Sequence, residues 1–320
     1  MSETGEATEF DDNVVTHAIS LRALSKAFGA TQALSAVSFD VRAGDCFGLI
    51  GPNGAGKTTA FSIIAGYLHP DDGMALVLDH DARATDVLKA RLAVLPQDAL
   101  LPPYESVGEF LVHLARLQGV PRGKAEYEAR LALKDVDGTD WWDRRCGKLS
   151  HGMAKRVGLA QAFLGNPEVV LLDEPTAGLD PRIAFEIRQL IKKRKGRCTL
   201  VISSHNLHEL EEICDAAAIL DRGHVVGAGS MVELTASSKE FSIQITKGPV
   251  PIEAIQAIQG VSQVEYDRKT RTIAVHCDRH EGEAEDIIGQ TLLVLLHGGI
   301  KVSSVLKGRG LEKRVMELTE

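Results

Sequence analysis

Residues 51–58 read GPNGAGKT, a full match to G-x-x-x-x-G-K-[S/T], set between the apolar run FGLI and the helical pattern TTAFSIIAGYL. Few folds turn a strand through glycines directly into a helix. The glycines let the backbone curl until successive N–H groups point inward, and the helix N-terminus adds its positive end. Such a turn is built to hold phosphate. Gly51, Asn53, Gly54 and Gly56 form the cradle, Lys57 brings a point charge to the β- and γ-phosphates, and Thr58 and Thr59 open the helix. Thr58 is also placed to ligate Mg2+. A chance glycine-rich turn is the plain competitor, and the flanking strand and helix weigh against it.

The surroundings of this turn predict an α/β domain. From His17 to about Leu234, short apolar runs alternate with longer amphipathic ones. SFDV, FGLI, ALVLD, LAVLP, VVLLD, TLVIS and AAIL read as strands, and the apolar VVLLD suits a parallel strand covered on both faces. Between Pro102 and Ser150 the strand pattern stops. Ser106 and Glu109 make a capping box ahead of FLVHLARLQG, and a second helical pattern follows over 124–133. Residues 103–150 are therefore expected to be a helical insertion.

At 320 residues the chain exceeds one comfortable core, which predicts a large domain and a smaller one. The rhythm changes near residue 236, where ASSKE reads as a linker. FSIQIT (strand), IEAIQAIQG (helix), SQVEYD and RTIAVHC (strands), EDIIGQTLLVLLHGG (helix), KVSSVL (strand) and LEKRVMEL (helix) follow. This βαββαβ order over 236–320 predicts a ferredoxin-like α+β accessory domain, a type used for binding or dimerisation more than for catalysis.

Charge and composition exclude some roles. A net charge of −8 with no long basic tract argues against coating a nucleic acid. Five scattered cysteines without CxxC spacing suit reduced thiols, not a disulfide framework or a zinc site. The first 16 residues carry five acids and no Lys or Arg, the reverse of a signal peptide, and read as a disordered acidic tail. The longest apolar candidate, TLLVLL, is far short of the roughly 18–20 residues that span a bilayer. Any work at a membrane must then pass through a partner.

Further candidates gather at predicted strand ends. VVLLDEPTAGLD (169–180) closes a buried strand on Asp173 and Glu174, which face opposite ways as strand neighbours do. One carboxylate can reach Mg2+, and the other can orient an attacking water. A plain strand-to-turn exit competes with this reading. His205 stands where TLVISS passes into a helix, at the kind of strand end that gathers ligands in α/β sheets. His205, His208 and Glu212 share one helical face, a metal-like spacing, but without HExxH or a cysteine pair; His208 and Glu212 are expected to be solvated surface. Gln97, just past LAVLP, is by default a loop residue and otherwise a Mg2+ or water ligand. A GTPase should carry N-K-x-D, and no Asn–Lys pair occurs.

In order and spacing these pieces resemble the ATP-binding subunits of ABC transporters. GPNGAGKT looks like the Walker A loop, Gln97 like the Q-loop, and LSHGM (149–153) like the LSGGQ signature. VVLLDE resembles Walker B with its adjacent glutamate, AGLD the D-loop ending on Asp180, and His205 the switch histidine. Phe28, in LSKAFGATQAL, takes the place of the aromatic that stacks on adenine. The resemblance covers roughly 17–235 and implies a P-loop NTPase ABC-type core with a helical subdomain, using ATP and Mg2+. It implies Glu174 as general base or water positioner with His205, Gln97 and Lys57, and Thr58, Gln97 and Asp173 at the metal. Two subunits are then expected head to tail, as a homodimer or with a paired ATPase. Ser150 and Gly152 of one would meet the γ-phosphate held by the other's Walker A loop, 93 positions upstream in sequence at Lys57.

The final segment is similar to the C-terminal extension of type-2 ABC exporter ATPases, where a stretch like LEDVFLxLT closes the chain. This implies a cytoplasmic subunit held at the inner membrane face by a six-helix permease, with no nucleic-acid partner. Two alternatives stay open. One is a non-transport ABC ATPase of DNA repair or the ribosome, which usually brings tandem cassettes, coiled coils or zinc modules. The other is an importer ATPase, whose C-terminal domain is more often barrel-like. His151 and Met153 depart from the signature, where glycine and glutamine are usual. A tolerated variant is one reading of His151, and a pH-sensitive charge near the phosphates is the other.

Overall fold

A computed structural model describes residues 16–236, 240–246, 248–277 and 281–307, together with Leu311, Val315 and Leu318. The acidic N-terminal segment, most of the linker and most of LEKRVMEL lie outside the described residues.

The chain opens with two long antiparallel strands, β1 (His17–Phe28) and β2 (Thr31–Arg42), joined by a tight turn. β3 (Cys46–Ile50) runs into the phosphate loop and α1 (Lys57–Ile64). Next come β4 (Asp72–Val77), β5 (His80–Asp81), the short α2 (Thr85–Leu88) and β6 (Leu92–Leu95). β4 and β5 extend the first hairpin into an antiparallel sheet of order β2-β1-β4-β5.

The expected helical stretch holds α3 (Val107–Leu117) and α4 (Arg122–Asp135), which pack together, and leads into α5 (His151–Phe163). The capping box at α3 is formed. Ser106 Oγ accepts from the Glu109 N–H at 3.2 Å, and Glu109 Oε2 accepts from the Ser106 N–H at 2.9 Å.

Strand and helix then alternate through β7 (Val169–Asp173), α6 (Pro181–Lys192), β8 (Thr199–Ser204), α7 (Leu207–Ile213) and β9 (Ala216–Asp221). β10 (His224–Ser230) returns antiparallel to β9, and α8 (Met231–Ala236) follows. The central sheet runs β10-β9-β3-β8-β7-β6, parallel except at β10. β3, β7 and β8 are buried along their whole length, as apolar strands covered on both faces must be. Because β6, β7, β8 and β3 all point the same way, Gln97, Asp173, His205 and the phosphate loop leave the sheet on one edge. That common polarity assembles the site.

β11 (Glu240–Ile245), α9 (Ile252–Gln256), β12 (Val261–Asp267), β13 (Thr272–Cys277), α10 (Glu281–His297) and β14 (Val302–Lys307) complete the described elements. Their sheet is antiparallel, in order β12-β13-β11-β14, and Phe241, Ile243, Ile273, Val275 and Leu295 lie in its own apolar cluster. Numbered within the module, that order is 2-3-1-4. Leu311 and Val315 belong instead to the large cluster containing Met231 and Leu234, and Leu318 packs on it. These three residues thus contact the first unit although they follow the second in sequence. No helix among the described residues is long and apolar enough to cross a membrane.

Candidate functional site

The loop from Gly51 to Gly56 is held in conformations that only glycine adopts without strain. Gly51 has φ +156°, and a Cβ there would stand 2.2 Å from the Leu220 carbonyl oxygen. Gly56 has φ +105°, with the Ala33 carbonyl oxygen 2.5 Å from the place of a Cβ. The loop closes against the β1–β2 turn and encloses a cavity of about 220 Å³. Asn53, Gly54, Gly56, Lys57, Thr58, Thr59, Gln97, Asp173 and Glu174 line it, with Thr31, Gln32 and Ala33 on the side of that turn.

Lys57 is buried, and its ammonium donates to the Gly51 carbonyl at 2.7 Å and the Pro52 carbonyl at 3.0 Å. Burial pushes its pKa below the ordinary lysine value, while the Glu174 and Asp173 carboxylates push back. The cation is thus held over the loop's own oxygens, where an incoming polyphosphate can replace them.

Asp173 ends β7 and accepts from the Ser203 hydroxyl on the neighbouring β8. The same Ser203 oxygen accepts the Glu174 N–H at 3.0 Å, and the Ser203 carbonyl lies 3.2 Å from that N–H. Glu174 itself has φ +46°, an uncommon conformation for a residue with a side chain. This kink turns its carboxylate toward β8, where Oε2 meets His205 Nδ1 at 2.9 Å. Ser203 is a site residue that sequence reasoning passes over, because its role depends on strand pairing.

Gln97 and Lys155 form another link of that kind. The buried Lys155 ammonium, on α5, donates to the Gln97 carbonyl at 3.1 Å. Its pKa is lowered by burial, against the opposing pull of Asp98, Asp173 and Glu174.

Other candidates do not line this cavity. Phe28 is half exposed at the end of β1, with the Lys26 ammonium 5.8 Å from its ring centre. Ser150 caps α5, its Oγ accepting the Met153 N–H at 3.3 Å. Asp180 caps α6, with Oδ1 accepting from Arg182 and Ile183, each at 3.1 Å. Gly152 allows close packing on Ile183, whose Cδ1 lies 2.8 Å from where a Cβ would sit. His151 Nε2 faces Gly178 in the turn before α6. The start of α5 therefore packs on the 178–183 segment, and none of these residues lines the phosphate-loop cavity of the same chain.

Glu212 differs from expectation. Arg188 reaches its Oε2 at 3.0 Å and Lys192 its Oε1 at 2.7 Å, so this carboxylate is engaged in ion pairs and not merely solvated. The loop amides and Lys57 suit a polyphosphate, and Thr58, Gln97 and Asp173 offer the hard oxygens that Mg2+ prefers.

Comparison with known proteins agrees with this geometry. The family model described as ABC transporter matches residues 34–177. A second model, described as an AAA domain, putative AbiEii toxin, Type IV TA system, matches 145–211. The chain is 34% identical over 239 residues to Nod factor export ATP-binding protein I of Burkholderia lata, covering 73% of this chain and 77% of that protein. It is 28% identical over 273 residues to the linearmycin resistance ATP-binding protein LnrL of Bacillus subtilis, covering 83% and 88%. Among solved structures, cbiO1 from Clostridium perfringens, part of the ABC transporter complex cbiONQ, superposes with a TM-score of 0.62. That match has 27% identity and covers 68% of this chain and 90% of that one. A phosphate cradle, a kinked carboxylate and a histidine on one edge of a parallel sheet, in a chain with these relatives, identify it as a member of the ABC transporter ATP-binding proteins, an ATP-binding ATPase.

Proposed function

We propose that this chain powers an exporter: a head-to-tail dimer closes on two ATP molecules, and hydrolysis reopens it to drive a separate six-helix permease. The observation that carries the hydrolytic part is the Glu174–His205 pair at 2.9 Å beside the cavity lined by Lys57, Thr58, Gln97 and Asp173. In this reading Glu174 takes the proton of the attacking water or orients it, and His205 holds the carboxylate in place. Lys57 and the loop amides bind the β- and γ-phosphates, and Phe28 stacks on the adenine. Thr58, Gln97 and Asp173 would hold Mg2+, which when bound neutralises charge on the phosphates.

That Ser150 and Gly152 do not line the chain's own phosphate-loop cavity supports the dimer. A helix N-terminus capped by a serine, whose hydroxyl can still donate, suits a γ-phosphate brought by a second copy. Export is supported by relatives named for Nod factor export and linearmycin resistance, the second matching over 83% of this chain. The proposed location is the cytoplasmic face of the membrane, reached through the permease. Solubilising membranes that contain a tagged chain and purifying it should bring down a six-helix permease, with ATPase activity in the complex. Recovery with ribosomes, DNA or a substrate-binding importer complex instead would refute the exporter reading.

A further inference from the structure

A second cavity, of about 390 Å³, lies beside the turn after β7, lined among others by Thr176, Gly178, Arg188, His205, Glu209 and Glu212. Here the buried Glu209 carboxylate spans two elements. Its Oε2 accepts from the Thr176 hydroxyl at 2.5 Å, and its Oε1 accepts from Arg188 Nη1 at 2.8 Å. Thr176 is also buried, two residues beyond Glu174.

We propose that Glu209 is a positioning residue for hydrolysis, fixing the turn that carries Glu174 against the helix that follows His205. The proposal rests on the assignment of Glu174 and His205 to the reaction.

The need for such a tether is visible in the turn. Glu174 leaves β7 with φ +46°, and the next backbone bonds are long: Ala177 N–H to Glu174 O at 3.2 Å and Leu179 N–H to Thr176 O at 3.3 Å. The Thr176 hydroxyl instead bonds a buried carboxylate that is also paired with Arg188, a charge-assisted contact that ties this segment to two other elements. On the other side, α7 has only seven residues, and its Asn206 cap reaches the Glu209 N–H at 3.4 Å. Arg188 and Glu212 add a second tie between α6 and α7. Glu209 thus joins the turn, α6 and α7 within reach of the Glu174–His205 contact. Neither Thr176 nor Glu209 lines the cavity of the phosphate loop, so both act through other residues.

The test uses the 320-residue chain. Thr176→Val removes the hydroxyl at nearly constant volume, Thr176→Ser restores it, and Glu209→Gln removes the charge. Steady-state phosphate release gives kcat and KM for MgATP, and titration with ATP gives Kd. We expect Thr176→Val and Glu209→Gln to lower kcat about tenfold, consistent with a small misplacement of reacting groups. KM and Kd should stay within about twofold. Thr176→Ser should recover most of the rate, and the double variant should be no slower than the slower single one, as for two ends of one bond. A fall in melting temperature with wild-type kcat would overturn the proposal, as would kcat and KM changing together or Thr176→Ser as slow as Thr176→Val. Glu174→Gln measured alongside separates the two claims. Normal turnover there sinks the reading of the site, whereas slow Glu174→Gln beside fast Thr176→Val sinks the role of Glu209 alone.

Discussion

His205 Nδ1 lies 2.9 Å from Glu174 Oε2, a contact made between the ends of the neighbouring parallel strands β7 and β8. The Glu174 backbone is kinked into a left-handed conformation and anchored by Ser203, so the carboxylate reaches the histidine without disturbing the ladder. In the proposed function, this carboxylate is the base that acts on a water beside the phosphate pocket, while the loop does the binding.

Glu174→Gln keeps the shape and removes the carboxylate proposed as the base. It should bind ATP with unchanged affinity, lose phosphate release by about 10²-fold or more, and accumulate as a closed dimer. Size-exclusion chromatography with ATP and a phosphate-release assay check both halves. Wild-type turnover in this variant would refute the assignment of the base.

Lys57 gives a proton linkage with a definite sign. Burial holds its pKa below 10.5, with Glu174 and Asp173 opposing. The unliganded protein therefore begins to lose this proton at lower pH than an ordinary lysine would. A bound polyphosphate favours the charged ammonium and raises the value again. ATP binding at alkaline pH should then be accompanied by proton uptake at Lys57, and this uptake should shrink as the pH falls below the range in which the lysine titrates. Calorimetric titration in two buffers of different ionisation enthalpy measures it; proton release at alkaline pH would show the sign to be wrong.

The parts legible in sequence are those whose physics is local. The phosphate loop is a run of eight residues with its strand and helix attached, and the α3 capping box needs only Ser106 and Glu109. The four strand ends could be named because apolar runs stop there. By contrast β1 and β2, each 12 residues long, appear in sequence only as SFDV. Their register shifts, with Ala23 at φ +47° and Ala36 at φ +49°, break the period-two alternation that marks a strand. Ties such as Lys155 to Gln97, Ser203 to Asp173 and Thr176 to Glu209 join residues far apart in sequence, and no spacing rule encodes them. The ion pairing of Glu212 was hidden in the same way, since it depends on α6 lying beside α7.

Two glycines of the phosphate loop should respond differently to alanine. At Gly56 the φ of +105° is compounded by the Ala33 carbonyl 2.5 Å from the new Cβ and Leu34 Cδ2 at 2.7 Å. At Gly54 the φ is +83°, but no other atom lies within 4 Å. Gly54→Ala should cost only the left-handed strain, about 1–2 kcal/mol. Gly56→Ala must also displace backbone and should cost clearly more, with loss of ATP binding. Denaturant midpoints for the pair give the order; equal costs would show that the contact with Ala33 relaxes freely.

His151 is the residue that departs most from the signature pattern, and its surroundings favour a tolerated variant. Its side chain is exposed and makes no hydrogen bond among the described residues, with Nε2 merely facing Gly178 across the 178–183 turn. The groups suited to an incoming phosphate are the Ser150 hydroxyl and the N–H groups at the start of α5, and these do not depend on the imidazole. His151→Gly should therefore leave the shape of the ATPase profile between about pH 6 and 8 unchanged, the interval in which an unperturbed histidine titrates. Ser150→Ala, measured in parallel, should lower turnover without moving that profile, because it removes the hydroxyl that would reach a phosphate held by a second copy. A profile that shifts in His151→Gly would establish the opposite, that the imidazole contributes charge at the phosphates during turnover.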